Sequence, residues 1–109
     1  MIKLKLANDE QKRSVGAKHE VYLVQNGDER LGFCEFEPSA PVGMIHRIEC
    51  DDAALTDGVL RQTLFYMAQH GCFIAELSHG LKEKLRSLYF IKPDQEEIKI
   101  AEFFSGSCH

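Results

Sequence analysis

The stretch Ile45–Gly71, IHRIECDDAALTDGVLRQTLFYMAQHG, decides the fold. Its opening belongs to a strand, Met44 to Cys50, closed by Asp51 and Asp52. Alternation places Met44, His46, Ile48 and Cys50 on one face and Ile45, Arg47 and Glu49 on the other. A helix follows from about Thr56 or Asp57 to His70, with Asp57 as its N-cap or first-turn anion. Leu60, Leu64, Met67 and Ala68 form its buried stripe, and Gly71 closes it. Cys72 to Leu77 is a further strand directly after the helix, so the two strands are expected to be parallel in a βαβ unit. In this layout the first amides of a helix can face an anion.

Working outward, Ile2 to Leu6 alternates as a first strand, and Asn8 to Lys18 reads as a loop or short helical turn. Asn26-Gly27-Asp28 joins two apolar runs, which predicts an antiparallel hairpin over 20–37. Pro38 and Pro41 mark a loop before the central strand. Beyond it, Leu81 to Leu88 predicts a second helix, and Glu97 to Phe104 a last strand. Ser105 to His109 reads as a loose tail. The expected class is α/β (an α+β mixed sheet), with antiparallel N-terminal strands and a central parallel βαβ unit.

At 109 residues the chain is expected to be a single domain, 1–109, with one real core. Its net charge of −4 carries no basic stripe, which argues against a nucleic-acid surface. No apolar run approaches the roughly 18 residues of a membrane span, and the N-terminus does not read as a signal peptide. The expected compartment is the cytoplasm. Cys34, Cys50, Cys72 and Cys108 form no C-x-x-C pair, so reduced thiols are expected.

The order of elements resembles the GNAT superfamily of acyl-CoA N-acyltransferases, in a small, truncated form. ERLGFCEFEP matches the second hairpin strand, IHRIECDD the strand leading into the cofactor loop, and DGVLRQTLFYMAQHG the helix after it. SHGLKEKLRSLYF matches the family's closing segment in length. The resemblance covers about Glu20 to Phe104. It implies acetyl-CoA or CoA as cofactor and a small-molecule or peptide amine as acceptor. The backbone at Ile48 and Cys50 would align the pantetheine arm, and Leu55, Thr56, Asp57 and Gly58 would meet the pyrophosphate.

The cofactor loop is degenerate. The family pattern Q/R-x-x-G-x-G/A meets Asp52-Ala53-Ala54-Leu55-Thr56-Asp57-Gly58 here, with one glycine and no opening Arg or Gln. Asp51, Asp52 and Asp57 would repel a diphosphate. One like-charge pair at about 5 Å and an effective ε near 20 costs roughly 3 kcal/mol, against about 0.3–1 kcal/mol returned by a helix N-terminus. In the closing segment Leu85 falls where the family's acidic Tyr stands, and Tyr89 replaces its Gly.

Amine acylation needs a base, for which Glu49 and then His46 are candidates, and an acid, for which Tyr89 is the candidate. Against these stand plainer roles: Glu49 paired with Arg47 on a solvated face, and His46 as a core or interface histidine. The competing class is a non-catalytic scaffold or dimerisation module. Tyr66, Phe65 and Phe103-Phe104 lie off the core stripe and point to a homodimer across the long helix or last strand. A weaker alternative is a thiol or metal protein. Cys108-His109 pairs a thiol with a base. His46 and Cys50 share a face but lie about 13 Å apart along a strand, and His70 with Cys72 offers two ligands only, so no metal residues are assigned.

Overall fold

The computed structural model describes residues 1–106. Its elements run β1 (Ile2–Leu6), α1 (Asp9–Ser14), β2 (Glu20–Asn26), β3 (Glu29–Glu37), β4 (Val42–Cys50), α2 (Ala53–Gln69), β5 (Ile74–Leu77), α3 (His79–Ser87), β6 (Glu97–Lys99) and α4 (Ile100–Gly106). The six strands form one sheet in sequence order. β1 to β4 are antiparallel, β4 and β5 are parallel, and β6 returns antiparallel to β5. The mixed α+β architecture expected from the sequence is the one observed.

One sheet face carries the main core. Tyr22, Val24, Cys34, Phe36, Ile45 and Ile48 from the strands meet Val59, Leu60, Leu64 and Met67 of α2, and Leu81 and Leu85 of α3. The other face holds a smaller cluster of Val21, Leu23 and Phe33 with Ala7, Val15 and Ala17, residues that flank α1. Thr56, Val59 and Thr63 widen the expected stripe on α2, and Ala68 leaves it, being exposed. Tyr66 packs edge-on against Phe36, at 5.5 Å between ring centroids, and stacks on His70 at 4.0 Å. It is therefore covered within the chain. Phe65 and Phe73 remain exposed.

Three local expectations are corrected. First, α2 is capped by Asp52, whose side chain accepts from Leu55 N at 2.7 Å. Asp57 lies a turn further in and pairs with Arg61 at 3.0 Å. An extended Asp at the strand's end, with Ala-Ala after it, starts the helix earlier than the charge pattern implied.

Second, the last strand stops at Lys99 and the chain turns into α4. Ile100, Phe103 and Phe104 sit at helical spacing and pack against the core, so helix burial wins over strand alternation. Phe103 and Phe104 meet edge-on, 5.5 Å apart. Ser105 and Gly106 belong to this helix and not to a loose tail. Cys108 and His109 lie outside the described residues.

Third, β4 does not alternate evenly. Pairing with β3 jumps from Glu35–Arg47 to Phe36–Ile45, leaving His46 as the extra residue of a bulge. Ile45 and Ile48 therefore both reach the main core, which the expected face assignment separated. No helix among the described residues is long and apolar enough to cross a membrane.

Candidate functional site

β4 and β5 pair only from Val42–Ile74 to Ile45–Leu77. There β5 ends, and Ser78 closes the junction. Its N–H donates to Ile45 O at 3.1 Å and its hydroxyl to His46 O at 2.5 Å. Beyond this point β4 continues through Cys50 with no strand among the described residues on its β5 side, and α3 stands across the gap. The resulting cleft, about 190 Å³, is lined by His46, Ile48, Ser78, Gly80 and Lys84 among others. That is smaller than the roughly 300–1,000 Å³ of ordinary small-molecule sites, and it suits a narrow chain. Lys84 reaches across it, donating from Nζ to Ile48 O at 2.8 Å.

The expected phosphate-facing amides are not free. Leu55 N is taken by Asp52 Oδ1, and Thr56 N by Asp52 O at 3.1 Å. Asp57 and Gly58 lie inside α2, where amides belong to the helix ladder. Ile48 does line the cleft, but its carbonyl is held by Lys84. Cys50 is half-buried, and burial, acting against Lys84, pushes its thiol up. Burial alone does the same to Cys72, and burial takes Cys34 to about 12. In all three burial prevails, so none is poised as a reactive thiolate, even Cys50 with Lys84 near it.

The catalytic candidates separate. Glu49 is exposed and accepts from Arg47 Nη1 at 3.0 Å. This is the pairing with Arg47 expected of it on a solvated face. Tyr89 is 92% exposed just past the end of α3 and does not line the cleft. Its φ of 62° sits in the left-handed region. Phe90 N bonds Leu85 O at 2.9 Å and Tyr89 N bonds Arg86 O at 3.0 Å. These are the two bonds of a Schellman ending, with Tyr89 at the position glycine prefers. A non-glycine residue there costs roughly 1–2 kcal/mol, partly offset by its smaller unfolded-state entropy. Tyr89→Gly is expected to raise stability by up to about 1 kcal/mol in urea unfolding. A fall would show that the phenol makes a contact that matters.

His46 is neither in the core nor free. Its Nε2 lies 2.6 Å from Glu37 Oε1, and its ring stacks on His19 with centroids 4.2 Å apart. His19 Nε2 lies 3.3 Å from the same oxygen, and His19 Nδ1 is 2.9 Å from Glu35 Oε2. Glu35 is buried on the sheet. Burial pushes its carboxyl up, but hydrogen bonds from Lys18 N, Arg47 Nε and His19 outweigh this and hold it at about 2. The sequence hides this cluster. His19 lies in the bend just before β2, Glu35 and Glu37 on β3 and His46 on β4, and only the β2–β3 register and the β4 bulge bring them together. The hairpin signal places His19 near Glu37, but nothing local marks the bulge.

A second groove, about 780 Å³, runs between residues 89–99 and α4. It is larger than the cleft, but it lies away from His46 and Ser78, and Tyr89 on its rim faces solvent.

The sequence matches no family model and no curated protein. Among solved structures, the chain is similar to a GNAT-family acetyltransferase from Streptococcus pneumoniae TIGR4. The TM-score is 0.57 and the identity 12%, over 82% of this chain and 83% of that one. At such low identity the likeness is one of fold: the mixed sheet and its helices are GNAT-like.

Proposed function

We propose that this protein is an N-acyltransferase that grips its donor by the pantetheine arm and not by the nucleotide diphosphate. The observation that carries this is the parting of β4 from β5 after Ile45 and Leu77, at the His46 bulge. It leaves the outer half of β4 open on one side, with the Ile48 carbonyl available once Lys84 withdraws. The N-terminus of α2 offers a diphosphate little. Its Leu55 amide is spent on Asp52, and Asp51 and Asp52 add like charge. Acetyl-CoA would therefore bind with its nucleotide end in solvent, and an acyl-pantetheine carried otherwise would serve equally.

In this reading His46 is the base. With Nε2–H donating to Glu37, its Nδ1 keeps the lone pair that receives the amine proton. The amine nitrogen bonds to the thioester carbonyl carbon, the C–S bond breaks, and the thiolate leaves into solvent. Tyr89 has no part in this.

A second reading, a non-catalytic GNAT-like scaffold, is favoured by the same occupied groups, Leu55 N and Ile48 O. Thermal shift separates the two. Acetyl-CoA, CoA and free pantetheine are expected to raise the Tm similarly, and more strongly in Lys84→Ala, which clears Ile48 O. A ligand at a hundredfold excess over Kd adds about 2.7 kcal/mol. Flat melting curves to millimolar ligand, in both wild type and Lys84→Ala, would leave the scaffold.

A further inference from the structure

The His19–Glu37–His46 cluster has an electrostatic peculiarity. Glu35 is a buried carboxylate whose Oε2 faces His19 Nδ1 and whose Oε1 accepts from Arg47 Nε at 2.9 Å. A carboxylate there fixes His19 with its proton on Nδ1. The lone pair of His19 Nε2 then faces Glu37 Oε1 at 3.3 Å, an acceptor against an acceptor. His46 Nε2 approaches the same oxygen at 2.6 Å. The arrangement calls for a positive species between these atoms, either extra protons or a cation.

We propose that His19, Glu37 and His46 form a binding site for a divalent transition metal of the zinc class. One ligand atom from each residue lies within 4.8 Å of the other two. Two imidazoles and one carboxylate are a donor set that suits zinc and its neighbours, with further positions left to water. The side chains retain 31%, 40% and 26% exposure, so water has access. Glu35 supplies the outer carboxylate that orients a metal-bound histidine, and Lys18 N and Arg47 hold it in place. The two rings are stacked with 11° between their planes, so their in-plane lone pairs run side by side. Loading therefore turns at least one ring out of the stack. His46 sits on the bulge, where the strand pairing leaves it room.

This inference stands apart from the acyl-transfer reading. His46 serves in one use at a time: as a base it needs Nδ1 free and Nε2 protonated, and as a ligand through Nε2 the reverse, so a bound metal competes with acyl transfer for the same ring.

The test is titration of the full, chelator-stripped chain with Co²⁺, followed by visible absorption, and with Zn²⁺, followed by calorimetry, at neutral pH. One equivalent is expected to bind saturably. His19→Ala, His46→Ala and Glu37→Gln are each expected to remove that equivalent. Glu35→Gln is expected to weaken it about 10–100-fold. His79→Ala, at an exposed position on α3, is expected to leave it unchanged. So is a chain carrying Cys108→Ser and His109→Asn. Circular dichroism confirms folding of each variant, and Glu37→Gln, at a half-exposed position, should disturb it least. Absence of a saturable equivalent, or its persistence in folded His19→Ala and Glu37→Gln chains, would overturn the site whatever the pantetheine result.

Discussion

Phe36→Ala is expected to cost about 3–5 kcal/mol, on the order of 15 °C or more in Tm. The ring is fully buried at the centre of the main core. It stacks on Tyr22 with centroids 5.8 Å apart and takes the edge of Tyr66 at 5.5 Å. Tyr66 in turn stacks on His70. Removing Phe36 deletes the middle of this aromatic group and opens a cavity between β3 and α2 that backbone movement cannot readily close. Chains of this size are usually stable by about 5–15 kcal/mol, so the loss is a large share. Urea unfolding measures it. A cost below about 1.5 kcal/mol would mean the sheet and α2 collapse onto the gap, and that the aromatic group does not organise the core.

Glu35→Gln is expected to cost about 3 kcal/mol at neutral pH. Its carboxyl stands at about 2 in the folded chain against 4.5 when unperturbed, and each unit corresponds to about 1.4 kcal/mol. Burial acts against the ionised form. Lys18 N, Arg47 and His19 more than reverse it. Because the folded value is the lower one, the stabilisation is complete above about pH 4.5 and fades as the pH falls toward 2. The stability gap between wild type and Glu35→Gln should therefore be widest at neutral pH and close in acid. Measured in EDTA, this isolates the carboxylate from any bound metal. A gap independent of pH between 2 and 7 would show that Glu35 contributes by shape and hydrogen bonding and not by charge.

Together these two side chains show how β3 divides its work. Phe36 enters the helix-covered core, while Glu35, one residue earlier, enters a polar cluster on the opposite face. A period of two residues puts neighbours on opposite faces. The strand thus anchors the hydrophobic layer and the candidate site at once. Changes at either position should be read with the other in view.

Much of the architecture was legible before any coordinates. The Asn26-Gly27 turn, the apolar run of β4, the stripe on α2 and Gly71 at its end all express local backbone preference and local periodicity. The glycine has φ of 89°, and Cys72 N returns to Met67 O at 3.0 Å, as a Schellman ending requires. A helix lying directly between two strands left parallel pairing as the natural outcome. The boundaries at Asp52 and Lys99 were less legible. There two plausible local patterns compete, and packing chooses between them.

What the chain determined by itself was the order and kind of its main elements, because turns, caps and amphipathic stripes act over a few residues. Tertiary structure alone decided the bulge at His46, the reach of Lys84 to Ile48 O, and the meeting of His19 with Glu37 and Glu35. Those depend on strand register and on side chains far apart in sequence. Their energies arise only once separate strands are aligned, and no window of neighbouring residues contains them.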